Sequence, residues 1–198
     1  MPRNEHQNKQ IRDNRKEQIL QAALRVFARR GMVATKISDI ASEAGMSHGL
    51  VYHYFKSKDE IFVTLVQQAS ENSLRVIDAA AKRQSSPLDQ LHWMTDQIIR
   101  DIDRGANAYL FLIMIQASTS EAVPEEVKQL LSGSATPVSA TLPIIVNGQQ
   151  AGEIVPGNPV MLAAAYYAVI QGLAVNKMQW AECPMPDPGL VIKMFRND

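Results

Sequence analysis

Apolar side chains recur at helical spacing over most of the chain. Ile19, Ala22, Ala23, Val26 and Phe27 fall at i, i+3, i+4, i+7 and i+8, one face of an α-helix. Gly31 supplies a stop, because glycine accepts a left-handed backbone without a Cβ clash. Ile37, Ile40, Ala41 and Ala44 repeat the spacing over a short second helix that Gly45 ends, and Ser47 caps a third running to about Tyr54. Ser57-Lys58-Asp59-Glu60 forms a capping box ahead of Ile61, Phe62, Leu65 and Val66, opening a long helix to about Lys82.

The rear of the chain reads the same way. Ser86-Pro87 starts a helix carrying Leu88, Leu91, Ile98, Ile99 and Ile102, with proline at the first position, where its missing N–H costs nothing. Ala108 to Ile115 is apolar enough for a buried helix. Asn158-Pro159 opens the last strong one, through Tyr166 and Tyr167 to about Gln179. Its run from Val160 to Ile170, extended to Val175, falls short of the roughly 20 apolar residues of a membrane span and reads as a buried helix. Pro137 and Pro143 interrupt Leu130 to Gly152. Thr136-Pro137 can start a helix there, which Pro143 would kink. Pro184, Pro186 and Pro188 precede a short apolar tail, Leu190 to Phe195, and no alternating strand pattern of useful length occurs. These elements predict an all-α protein.

Composition adds an asymmetry. The chain has 198 residues, 46% apolar and 20% charged, enough to build a core and too apolar for intrinsic disorder. Its 20 basic and 20 acidic side chains cancel. Residues 1–60 nevertheless hold 11 Lys/Arg against 7 Asp/Glu, net +4, and residues 61–198 hold 9 against 13, net −4. A basic front module, 1–60, would therefore precede an acidic rear one, 61–198, with residues 1–13 as a flexible tail. The tail cations Arg3, Lys9, Arg12, Arg15 and Lys16 suit either a minor groove or a solvated, disordered terminus; the latter is favoured. A single cysteine, Cys183, and a first segment without an apolar stretch fit a reducing, cytoplasmic setting.

Ile37 to Phe55 carries the chemistry. Two short helices joined by a glycine turn form a helix-turn-helix. Ala41 lets the next helix approach steeply, Gly45 takes the turn, and Val51 anchors the second helix while its other face stays exposed. A helix held this way fits the major groove of DNA. Ile40-Ala41, Ala44-Gly45-Met46-Ser47, Gly49, Tyr52-His53-Tyr54-Phe55 and Lys58 resemble the DNA-binding signature of the tetracycline-repressor (TetR) family, over roughly residues 13–66. Gly148-Gln149-Gln150-Ala151-Gly152-Glu153-Ile154 and Ile170-Gln171-Gly172-Leu173 resemble its weaker rear signature. Many members carry Thr-Thr before the second helix; here Thr35-Lys36 stands instead.

The resemblance implies about nine helices: a three-helix DNA-binding domain, then a ligand-binding and dimerisation domain. By position, Thr35, Lys36, Ser47, Tyr52, Tyr54 and Lys58 would hold phosphates, while His48, Gly49, Leu50 and His53 would face base edges. Phe55 reads as core. Trp93, Met94, Gln97, Tyr109, Met114, Tyr166, Tyr167 and Gln171 are candidate ligand contacts, the two glutamines on the assumption that they are buried. The implied function is repression from a palindromic operator, bound as a homodimer through the helix at 159–179 and the tail helix. A small, mostly apolar effector would release it. The alternative is a helical small-ligand-binding protein with a vestigial DNA-binding domain. No enzyme is expected, for want of a nucleophile elbow, a phosphate-binding glycine loop or a Cys–His pair. No cofactor, metal or membrane partner is expected either: His48 and His53 lie five apart, off a common helix face, and His6 and His92 are isolated.

Overall fold

A computed structural model describes residues 5–105, 108–133 and 135–197, without the side chains of Glu5, His6 and Asn8. Arg3 and the side chain of His6 thus lie outside the described residues. Among those described, ten helices and no strands occur: α1 Glu5–Ala34, α2 Ile37–Glu43, α3 His48–Tyr54, α4 Lys58–Ala81, α5 Pro87–Asp103, α6 Ala108–Thr119, α7 Glu125–Leu131, α8 Pro137–Gln150, α9 Pro159–Gln179 and α10 Pro188–Ile192. The chain divides into two compact units. Unit 1 holds residues 1–67 and 113–128, and unit 2 holds 68–112 and 129–198. The division falls within α4 and again within α6.

Unit 1 is built on α1. Ile19, Ala22, Ala23, Val26 and Phe27 are all buried, so the apolar spacing does mark the inner face. Phe27 meets Phe62 of α4 edge to face, ring centroids 5.3 Å apart. Gly31 interrupts α1 at φ +75°, a backbone region costly for any residue with a Cβ. At its other end α1 begins at Glu5, so residues 5–13 are helix where a loose tail was expected. The physical reason is propensity: from Glu5 to Arg30 there is neither glycine nor proline, and Glu, Gln, Lys and Arg favour helix without any apolar stripe.

Unit 2 packs α8 against α9 and α5 against α8, α9 and α10. Its core gathers Leu91, Met94, Ile102, Ile144, Ile145, Tyr166, Ile170 and Phe195. The rear signature has a structural explanation. A Cβ on Gly148 would stand 2.4 Å from Ile154 Cδ1, so only glycine lets Ile154 fold back onto the end of α8. Glu153 then accepts from the Leu88 N–H (3.0 Å) in the first turn of α5, whose N–H groups lack helical partners. Val155 N–H donates to Phe195 O and Asn197 N–H to Glu153 O, tying the tail to the same turn.

Three expectations for this unit change. α8 is one helix from its Thr136 cap to Gln150, with Pro143 inside it on an exposed position where the ring faces solvent. α9 spans 21 residues, long and apolar enough by length and composition to cross a membrane. Ala163, Tyr166, Ile170 and Ala174 of α9 point inward, while Met161, Ala164, Ala165, Ala168 and Gly172 are exposed. The tail helix α10 has only five residues and packs on α5, burying Val191 and Ile192.

Candidate nucleic-acid interface

The helix-turn-helix forms from local needs. α2 starts after Lys36, whose N–H donates to Asp39 Oδ2 (2.9 Å), half of a capping box completed without a hydroxyl. Ala44 and Gly45 close it, Gly45 at φ +63°. Ser47 Oγ accepts from the Leu50 N–H (3.2 Å) and fixes the start of α3. Val51 and Phe55 are buried, so α3 is anchored by one side and its end. The opposite side presents His48, Gly49, Tyr52 and His53 to solvent, with Leu50 and Tyr54 half-buried beside them. The His48 and Tyr52 rings meet edge to face at 4.8 Å, and His53 meets Tyr54 at 5.2 Å. These pairs stiffen an outward surface of donors, acceptors and ring edges. Gly49 has nothing within 4 Å of where its Cβ would be, leaving bare backbone on that surface.

Two residues expected to hold phosphates are engaged inside the protein. Thr35 is buried, and its hydroxyl donates to Gly31 O (2.7 Å). Lys58 Nζ donates to Met32 O (3.0 Å), Val33 O (3.1 Å) and Thr35 O (3.0 Å). An ammonium has three donors, and all three are used on the negative, carbonyl-rich end of α1. Lys58 therefore ties the first residue of α4 to the end of α1. Lys36 stays exposed, and so does Lys56, two residues before α4, which the motif spacing does not single out.

Three arginines of α1 are spent on α2. Arg25 Nε and Arg29 Nη2 grip the two oxygens of Glu43 at 2.7 and 2.8 Å, and Arg30 meets Asp39 at 3.1 Å. The hydrogen bond from Arg25 is the largest effect on Glu43; burial opposes it, and the Arg29 hydrogen bond with the charge of both guanidiniums leaves the carboxyl below its usual range. This clamp sets α2, and with it α3, against α1. Gln116 of α6 adds a further tie, its Nε2 donating to Phe27 O (3.2 Å) while its Oε1 is buried without a partner.

The expected ligand residues disperse. Met94 and Tyr166 are fully buried, with Trp93 and Tyr167 packed against the same core. Trp93 is covered by Arg83, 4.8 Å above its ring. Gln97 is half-buried and donates to Asp96 (3.2 Å), and Gln171 is exposed, contrary to its assumed burial. Tyr109 and Met114 are half-buried on α6, one in each unit. A pair of threonines escapes sequence reasoning. Thr95 Oγ1 lies 2.9 Å from Tyr166 OH, and Thr141 Oγ1 lies 2.8 Å from Tyr167 OH. Each threonine also bonds a carbonyl in its own helix, Leu91 O or Pro137 O. The threonine proton is thereby used, so each phenol is the donor to its threonine. Burial raises the Tyr166 phenol well above its ordinary value and pushes that of Tyr167 up to about 12.

A helix-turn-helix with one exposed reading face, clamped to a core helix, defines a DNA-binding protein of the helix-turn-helix class. Residues 19–65 match the family model described as "Bacterial regulatory proteins, tetR family". The chain is similar to the uncharacterized HTH-type transcriptional regulator YfiR of Bacillus subtilis, 39% identical over 77 residues, which are 39% of this chain and 38% of that relative. It is also similar to the fatty acid metabolism regulator protein of Bacillus subtilis, 24% identical over 146 residues, 74% of each chain. A TetR-family transcriptional regulator from Agrobacterium tumefaciens shares the fold at a TM-score of 0.73, with 20% identity over 93% of this chain and 99% of that one. Residues 19–65 are thus a helix-turn-helix segment of the kind the tetR-family model describes, and the chain as a whole shares its fold with TetR-family regulators.

Proposed function

We propose that the protein represses transcription in the cytoplasm by holding a palindromic operator as a homodimer and lets go when a small, mostly apolar effector binds the rear unit. The observation that carries this reading is the exposed side of α3, where His48, Gly49, Tyr52 and His53 stand clear of a buried anchor. Lys36, Ser47, Tyr52 and Tyr54 border that surface and suit phosphates; Thr35 and Lys58 serve the scaffold instead. A single short helix reads few base pairs, so two copies about one DNA turn apart, roughly 34 Å, are needed for specificity. The outward residues of α9 offer the dimer surface: Met161 is apolar, and Ala164, Ala165, Ala168 and Gly172 are small enough to let a second helix approach closely. Because α10 is occupied by α5, α8 takes the tail helix's expected place beside α9 in a four-helix contact.

Release needs a path into α3. Lys58 at the start of α4 and Gln116 of α6 both bond carbonyls between Phe27 and Thr35, just ahead of α2. An effector that moves either helix would disturb that stretch first. A thousandfold loss of operator affinity requires about 4 kcal/mol of coupling. The name of the Bacillus subtilis fatty acid metabolism regulator supports an effector with an aliphatic chain.

The test is selection of duplexes from a random pool, followed by salt titration. A palindromic consensus bound two chains per duplex, with affinity falling steeply in salt, supports the reading. Tyr52→Ala should weaken all sequences alike and His48→Ala should change base preference. Equal, weak binding of every duplex would instead favour a small-ligand-binding protein.

A further inference from the structure

The cations of α1 fall into two groups. Arg25, Arg29 and Arg30, toward its C-terminal end, are each paired with a carboxylate of α2. Lys9, Arg12 and Lys16, toward its N-terminal end, form no ion pair among the described residues. At 100° per residue these three lie within about 60° of one another around the helix. All three are exposed. Asp13 lies about 40° from Lys9, on the flank away from Arg12, and Glu17, a further 40° round, accepts from Gln21 (2.8 Å). Arg15 flanks the stripe and donates to Gln18 (3.0 Å). The stripe is not isolated from the reading helix. Lys16 Nζ stands 5.3 Å over the ring of Phe55, the residue that closes α3.

We infer that Lys9, Arg12 and Lys16 form a second, sequence-independent DNA contact that grips backbone phosphates beyond the bases α3 reads. The inference rests on the DNA-binding reading above and extends its footprint. Lysine and arginine on a rigid helix suit phosphates, which demand charge rather than a base pattern. From Lys9 to Lys16 the helix rises about 10 Å, close to three rises of about 3.4 Å along the duplex axis. A helix holds these charges in fixed register, whereas a loose arm would lose conformational entropy on binding. The internal pairing of the other three arginines keeps them from competing for the same phosphates.

The experiment compares the full-length protein with the triple variant Lys9→Gln, Arg12→Gln, Lys16→Gln and with Arg30→Gln. Circular dichroism and thermal melting check that each is folded. Each binds a duplex selected from a random pool, once with ten flanking base pairs on each side and once trimmed to the selected sequence. On the long duplex the triple variant should bind at least about tenfold more weakly. Its log–log salt slope should be shallower by about 0.9 for each phosphate it no longer neutralises. On the trimmed duplex the triple variant and the wild type should bind nearly alike, and Arg30→Gln should keep the wild-type slope on both. Equal slopes and affinities for the triple variant and the wild type on the long duplex would overturn the inference and leave the operator reading intact. If the wild type binds no duplex, both fall together. Should the triple variant melt early, Lys9→Arg with Lys16→Arg, which keeps charge and helix, must retain the full slope, and a loss there overturns the inference as well.

Discussion

Units 1 and 2 are both helical and both bury an apolar core, yet the polar ties that supplement it differ. Unit 1 uses charge and backbone carbonyls: a bifurcated Arg25–Glu43–Arg29 grip, Arg30 on Asp39, and Lys58 on three carbonyls. Unit 2 relies on an apolar core into which two phenol–threonine pairs are set, with a glycine turn closing one end. The contrast follows from what each must do. A reading helix has to be fixed in angle, and directional bonds fix angles. If unit 2 takes up the proposed effector, non-directional packing with a few internal hydroxyl bonds leaves it freer to adjust.

The largest expected break is Lys58→Met. It leaves the carbonyls of Met32, Val33 and Thr35 without their cation, and charged hydrogen bonds of this kind contribute about 1.5–3 kcal/mol. Denaturant melting should show a loss of about 2 kcal/mol, and the folded variant should bind operator more weakly. A phosphate-only role for Lys58 would lower affinity and leave stability untouched. Next comes Gly148→Ala, whose methyl collides with Ile154. It should cost about 1–3 kcal/mol in melting while operator affinity per folded molecule holds.

Tyr166→Phe should cost about 1 kcal/mol, because Thr95 keeps its bond to Leu91 O. The same phenols give a pH signature. Their folded values lie above the ordinary 10, so the stability they contribute is complete below pH 10 and is lost as pH rises toward and past about 12. Thermal melts across pH 9–12 should fall for the wild type and less steeply for Tyr166→Phe. The smallest effect sharpens the contrast. Gly49→Ala meets no atom within 4 Å and should stabilise α3 by about 0.5–1 kcal/mol, yet a methyl on the reading surface should weaken operator binding. Stability and affinity would then move in opposite directions.

The front unit was legible wherever the backbone dictates residue type. Gly31 and Gly45 occupy conformations that few residues accept, and Ser47 supplies a capping hydroxyl, so their spacing announces the helix-turn-helix before any packing is known. Side chains with two possible uses were not legible. Lys58 suits a phosphate and a carbonyl cage equally well, and only the fold places Met32, Val33 and Thr35 around it. Residues 5–13 form a helix without an apolar stripe, which periodicity cannot detect. In the rear, α7 is only seven residues long, and α8, announced at Thr136-Pro137, hid its length behind Pro143. Thr95 and Thr141 hid because a hydroxyl amid apolar neighbours reads as an exposed position. Gln171 misled in the opposite sense: its apolar surroundings belong to the outer side of α9.

The stitching of Phe195 and Asn197 to the turn at Glu153 and Val155 has a bearing on how the molecule is made. Bonds between residues this far apart in the chain form only once both partners have been synthesised. The bonds that close unit 2 therefore wait for residues 195–197 to be made, whereas the residues that make up unit 1 end at Lys128. Every residue of the unit that carries α3 is thus made while the closing residues of the other are still awaited.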